Sequence, residues 1–257
     1  MTRRRWIADE ANGNTAALTG DHALHLARVL RAEIGQQFDI AAGTSIRRGT
    51  ITSIKDDRVE FTLGEELPTA PAPDLTLALA IFKFDRMEWA IEKCTELGVT
   101  RIVPIIARRT DSHLAIASEK RRDRWQRLAL QASEQSRRVV PPEITAPMRL
   151  KDLSSTGVPP AVGQASLRQA QGRLSPADVR KAKIVLAESE EDLNLREALT
   201  PSPSTLTLAI GPEGGWAPDE LQWFRDSAWT AASLGDTVLR AETAAIVATA
   251  LTLDALR

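Results

Sequence analysis

Along the first 67 residues apolar positions come in short alternating runs, among them Gln37-Phe38-Asp39-Ile40 and Arg58-Val59-Glu60-Phe61-Thr62-Leu63, parted by Gly43, Gly49 and the Asp56-Asp57 pair. A period of two broken by turn residues predicts strands half-buried on a small core. One stretch departs from it. From His22 to Arg31 the apolar Leu26, Val29 and Leu30 fall on one face of a helix, with Arg28 and Arg31 emerging beside it. Pro68-Thr69-Ala70-Pro71-Ala72-Pro73 follows, and proline neither donates to a ladder nor continues a central strand. A domain boundary is placed here, with a small β-rich domain over 1–70 and a second domain over 74–257.

Past the connector the period changes. Strands are predicted over Leu75–Phe82, Arg101–Ile106, Ile184–Ala187, Thr205–Ile210 and Ala231–Leu234. Between them lie helical stretches. Met87–Leu97 carries Met87, Ile91, Cys94 and Leu97 on one face and stops at Gly98; a second helix, capped by Ser118, has Trp125, Leu128, Ala129 and Ala132 as its stripe. Two more begin near Pro218 and near Glu242, the last reaching Leu256. Strands alternating with helices predict an α/β domain whose parallel sheet is covered by helices. The polar, glutamine-rich stretch from Ser154 to Asp178 shows no apolar period and reads as a surface insertion, partly flexible.

Composition narrows the classes. The 257 residues are 43% hydrophobic and 26% charged, with no run that could cross a bilayer and no secretory leader pattern, so a cytoplasmic protein without a membrane partner is expected. A single cysteine, Cys94, allows no internal disulfide, and three histidines without a CxxC pair offer no zinc framework; no metal is expected. The net charge of -1 hides a segregation: Arg101–Arg138 holds ten Lys/Arg against four Asp/Glu, whereas Ile184–Arg257 holds four against twelve. A basic middle beside an acidic C-terminal third suits a protein that meets a polyanion on one surface and holds a cationic ligand elsewhere, although two solvated faces would show the same counts.

The segments most informative about chemistry lie near the C-terminus. Ile210-Gly211-Pro212-Glu213-Gly214-Gly215-Trp216 joins a strand to a helix, and its glycines let backbone approach a ligand closely. It lacks the lysine and hydroxyl residue of a P-loop and does not match GxGxxG, so a nucleotide-phosphate role is disfavoured. About twenty residues on, Ser233-Leu234-Gly235-Asp236-Thr237-Val238-Leu239-Arg240-Ala241-Glu242-Thr243 repeats the arrangement. Two glycine loops flanking adjacent strands place a ligand crevice at the carboxyl ends of those strands.

Together with His25-Leu26-Ala27-Arg28-Val29-Leu30-Arg31, Asp85-Arg86-Met87-Glu88-Trp89, Lys93-Cys94-Thr95-Glu96-Leu97-Gly98-Val99 and Glu134-Gln135-Ser136-Arg137-Arg138, these segments resemble, in the same order, the RsmE group of SPOUT methyltransferases, which methylate N3 of a uridine in 16S ribosomal RNA. The resemblance implies a PUA-like β-barrel followed by a SPOUT α/β domain with a C-terminal trefoil knot, a homodimer, and S-adenosyl-L-methionine as methyl donor. It places that cofactor around Leu186, Ile210, Gly211, Glu213, Gly215, Leu234, Gly235, Val238, Leu239 and Arg240. RNA contacts are expected from His25, Arg28, Arg31, Arg47 and Arg48 in the first domain and from Arg108, Arg109, Arg137 and Arg138 in the second, since guanidiniums pair with phosphates and stack on bases. The chain departs from the family pattern in its polar insertion and in having no tyrosine.

Methylation at N3 needs the weakly acidic N3 proton removed, and the candidate catalytic residues are Arg240 and Glu242. Arg240 is assigned to stabilising the uridine anion; a salt bridge to Glu242 or to a partner subunit is the competing role. For Glu213 the competing role is a hydrogen bond to Gly214 and Gly215 or a helix cap. Two alternatives keep the fold: a methyltransferase acting on another RNA such as tRNA, and a non-catalytic ribosome-assembly factor. A Rossmann-type methyltransferase fits less well, because its glycine turn should follow the first strand, where Ile81-Phe82-Lys83-Phe84-Asp85 stands.

Overall fold

The computed structural model describes residues 5–43, 45–68, 74–136, 138–153 and 180–256. The polar insertion expected over 154–178 and the arginine at 137 lie outside them. The chain forms two compact units, Met1–Ala70 with Ser133–Pro141, and Pro71–Ala132 with Pro142–Arg257.

The first unit is a six-stranded sheet of β1 (Arg5–Ile7), β2 (Glu10–Asn12), β3 (Thr15–Thr19), β4 (Gln37–Ala42), β5 (Ser45–Lys55) and β6 (Arg58–Leu67), in the order β1-β4-β5-β6-β3-β2. β1 runs parallel to β4 and every other pairing is antiparallel. The alternation seen in the sequence turns Ile40, Ile51, Val59, Phe61 and Leu63 into one core with Leu18 and Leu26. Between β3 and β4 the expected helix is not a uniform one. A short α-helix, α1 (Gly20–Leu24), runs into a π-turn over His25–Val29, closed by Leu30 N–H donating to the His25 carbonyl at 3.0 Å. A π-turn takes more residues per revolution than an α-helix, so the 3.6-residue spacing no longer holds. Leu26 stays buried, but Val29, expected on the core face, is 65% exposed.

The second unit has a wholly parallel sheet of β7 (Asp74–Ala80), β8 (Arg101–Ile106), β9 (Glu143–Ile144), β10 (Met148–Arg149), β11 (Lys181–Leu186), β12 (Thr205–Ile210) and β13 (Thr230–Ala232). The main path is β10-β8-β7-β12-β11-β13, with β9 also on β8. Its helices are α2 (Phe84–Leu97), α3 (Ser112–Ser118), α4 (Arg122–Gln135), α5 (Leu195–Ala198), α6 (Pro218–Asp226) and α7 (Ala241–Ala255). The α/β alternation and the parallel sheet agree with the sequence pattern. Central β7 buries Leu75, Leu77 and Leu79 in one core, with Met87, Ile91 and Cys94 of α2 and Ala245 and Ala248 of α7, and turns Ala78 and Ala80 into a second, with Trp216, Phe224 and Trp229. Burial on both faces is why β7 reads as a continuous apolar run rather than an alternating one. Ser118 is not the cap that the sequence suggested: it ends α3 in helical backbone, its hydroxyl donating to the Ala115 carbonyl at 2.7 Å.

Candidate active site

The carboxyl ends of β12, β11 and β13 are aligned by parallel pairings of Val185 with Ala209 and of Leu186 with Ala232. Three loops leave these ends and enclose a cleft of about 850 Å³, within the range of roughly 300–1,000 Å³ usual for small-molecule sites. The two glycine loops do not follow adjacent strands, as the sequence suggested; β11 lies between them. The loop after β11, Ala187 to Glu191, is the third wall, and having no glycine it bears no such mark in the sequence. Its signal was the acidic excess of the C-terminal third, since Glu188, Glu190 and Glu191 all line the cleft. Backbone bonds join it and the residues after it to the β13 side, Ala187 N–H to the Ala232 carbonyl and Ser233 N–H to the Leu193 carbonyl.

The first glycine loop is held by Trp216. Its indole N–H donates to the Leu186 carbonyl at 3.0 Å, while its ring lies so close to Gly211 that a Cβ there would stand 3.2 Å from Nε1. Gly215 adopts φ +69° and its N–H donates to the Pro212 carbonyl at 2.8 Å. Behind it, buried Glu220 reaches back to the Ala217 N–H at 2.9 Å and takes the Arg108 N–H at 2.8 Å, and Pro218 opens α6 where no donor is required. In the second loop Gly235 holds φ +112°, and open space lies where a Cβ would stand. Side chains are strained in that conformation, so glycine is required for the backbone to take this course.

All ten residues expected around the cofactor, Leu186, Ile210, Gly211, Glu213, Gly215, Leu234, Gly235, Val238, Leu239 and Arg240, line this one cleft. Of the two catalytic candidates, Arg240 lines it as the exposed residue preceding α7, and Glu242 does not. Glu242 is 5% exposed in the first turn of α7. The suggested Arg240–Glu242 salt bridge is not found among the described residues. Arg86 takes that place: its Nη1 donates to Glu213 Oε1 at 3.0 Å and its Nε lies 3.8 Å from Glu242 Oε1. Glu213 therefore answers to Arg86. Arg86 lines the cleft from the start of α2, a site residue that the sequence motif Asp85-Arg86-Met87-Glu88-Trp89 contains without assigning it that role.

The cations expected to meet RNA have diverse surroundings. In the first unit His25, Arg28 and Arg31 are exposed. Arg47 is spent on the carbonyls of Gly13, Leu63 and Gly64 and on Asn14 Oδ1, which makes it a pin between strands rather than a free phosphate ligand, and Arg48 lies 3.7 Å from Asp39. Arg138, expected in the second domain, belongs instead to the segment that joins the first unit, and burial draws its guanidinium down to about 10, still protonated at neutral pH. In the second unit Arg108 pairs with Asp219 at 3.1 Å, and Arg109 donates to the Gly214 carbonyl and lines the cleft.

A parallel α/β domain with a glycine-walled cleft at its strand ends is the setting of a nucleotide-like ligand, and the family model of the RNA methyltransferase domain matches residues 69–253. The chain is 31% identical to ribosomal RNA small subunit methyltransferase E of Rickettsia conorii over 93% of this chain and 90% of that one, and 29% identical to that of Aquifex aeolicus over 94% and 95%. The structure of ribosomal RNA small subunit methyltransferase E from Neisseria gonorrhoeae, solved bound to S-adenosyl methionine, superposes with a TM-score of 0.74 at 26% identity, covering 97% of this chain and 96% of that one. A methyltransferase from Legionella pneumophila, also with bound cofactor, gives 0.76 at 26% identity over 99% and 98%. The chain is a member of the RNA methyltransferase class. Within that class it belongs to the ribosomal RNA small subunit methyltransferase E family.

Proposed function

We propose that this protein transfers the methyl group of S-adenosyl-L-methionine to N3 of a uridine in 16S ribosomal RNA. The observation that carries the reading is the convergence of three strand-end loops, with left-handed glycines at 215 and 235, on a single cleft. The donor set fits the cofactor. Leu186, Ile210, Leu234 and Leu239 offer apolar walls for an adenine, exposed backbone at the glycines offers partners for its polar edges, and Glu188, Glu190, Glu191 and Asp236 offer negative charge to a sulfonium and an ammonium. When bound, the cofactor supplies an electrophilic methyl group.

The chain's own residues supply position and charge. Loss of the weakly acidic N3 proton to solvent leaves an anion delocalised over the uracil oxygens, and Arg240, a cation in the cleft wall, stabilises it. Arg86 and Arg109 line the same cleft but are engaged by Glu213 and by the Gly214 carbonyl. The first unit is assigned the PUA-like, RNA-binding role, with His25, Arg28 and Arg31 free to meet phosphates, and the C-terminal part of the second unit is assigned the trefoil knot of the SPOUT fold. The protein acts as a homodimer. Helix α7 is apolar nearly all round, and Val247 on it and Trp89 on α2 are 37% and 48% exposed, a surface that a second copy would cover.

The test is methylation of small ribosomal subunits, naked 16S rRNA and tRNA with labelled cofactor, followed by identification of the labelled nucleoside. Label in 3-methyluridine from 16S rRNA is expected; label only in tRNA, or no transfer to any substrate, would overturn the reading. Arg240→Ala is expected to lower kcat by roughly 10²–10³-fold, as for loss of one charge-stabilising donor.

A further inference from the structure

In the first unit, outside the cleft, His22 of α1 stands between two carboxylates that are remote in sequence. Its Nδ1 lies 3.1 Å from Asp9 Oδ1, and its Nε2 lies 3.0 Å from Glu134 Oε1. Asp9 is itself fixed at the entrance to α1, where its Oδ2 accepts the Thr19 N–H at 2.8 Å. The His22 ring lies 6.4 Å from that of Trp6, whose other neighbour is the His25 ring at 5.8 Å. Nδ1 is hydrogen-bonded to Asp9 and Nε2 makes an ion-pair contact with Glu134; a neutral imidazole would turn a lone pair toward one of the carboxylates, whereas an imidazolium meets both with positive charge. Glu134 belongs to Ser133–Pro141, the segment that joins this unit from far along the chain and carries Arg138.

We propose that His22, as an imidazolium held between Asp9 and Glu134, is a positioning residue for RNA. It fastens Ser133–Pro141 to the elements bearing His25 and Arg28, and so holds those two exposed groups in place as a phosphate-binding surface. The inference rests on the RNA-binding reading of this unit. The pKa of His22, raised to about 9 chiefly by Glu134, keeps the clamp charged at neutral pH. The charged groups that face the ring are Asp9 and Glu134, and without the His22 proton those two carboxylates would repel each other.

The experiment measures methyl transfer to small ribosomal subunits from cells lacking this modification, together with cofactor affinity, for wild type, His22→Gln, His22→Arg and Glu134→Gln. His22→Gln and Glu134→Gln are expected to raise KM for the subunits roughly fivefold, the scale of a displaced phosphate contact, while kcat and cofactor Kd stay at wild-type values. His22→Arg, which keeps charge toward both carboxylates, is expected to restore KM to within about twofold. A folded His22→Gln or Glu134→Gln protein with wild-type KM would overturn the proposal, as would a parallel loss of kcat or cofactor affinity, which would mark a merely structural residue. Wild-type protein that neither binds nor methylates the subunits would instead overturn the underlying RNA-methyltransferase reading.

Discussion

At the scale of single residues the cleft depends on backbone that only glycine takes without strain. Gly235, at φ +112°, is the sharpest case. Gly235→Val introduces a β-branched side chain at positive φ in the wall of the cleft, which strains the loop whatever space is open beside it. Calorimetry is expected to show a loss of S-adenosyl-L-methionine binding of at least about 100-fold, with the fold retained as judged by circular dichroism. The sequence marked these glycines because their type is the signal. It gave no site role to Arg86, Glu220 or Trp216, whose importance is relational. Arg86 matters through Glu213 and Glu242, Glu220 through the amides at 108 and 217, and Trp216 through a carbonyl thirty positions away. Arg47 is the converse, a cation conspicuous in the sequence whose donors are absorbed by its own sheet.

At the scale of elements, period and punctuation located most of the second unit. β8 and β12 fall where the apolar runs predicted them, and α2, α6 and α7 start within three residues of their expected positions. The helix before β4 was not foreseen in its true form, because a π-turn breaks the periodicity by which helices are recognised. That same region carries His22, whose place between Asp9 and Glu134 is expected to make the stability of the first unit depend on pH. The folded pKa of about 9 lies above the ordinary 6.5, so the stabilisation is complete below about pH 6.5 and is lost as pH rises through about 9. Thermal melts are therefore expected to show His22→Gln less stable than wild type at neutral pH and equal to it near pH 10. A stability difference that persists undiminished at high pH would show that packing of the ring, not its charge, is what the substitution removes.

For the whole molecule, chain order and space diverge. The glycine loops that seemed to bracket neighbouring strands are separated by β11, and the acidic loop of that middle strand completes the cleft. Strand order in a parallel sheet is set by long crossovers that leave no local trace, so it could not be read from spacing. The apolar outer face of α7 belongs to this scale as well. If the proposed homodimer forms through this face, Val247→Asp is expected to shift the protein from dimer to monomer in sedimentation velocity; a variant that remains dimeric would place the interface elsewhere, and a monomeric wild type would overturn the dimer. The central claim, that the three strand-end loops form one methyl-donor site, is tested most directly by a crystal structure of the protein with S-adenosyl-L-methionine. The account predicts the cofactor between the Gly211–Trp216, Ala187–Glu191 and Gly235–Arg240 loops, with its adenine against Leu186, Ile210, Leu234 or Leu239. Cofactor density elsewhere, or none at saturating concentration, would contradict it.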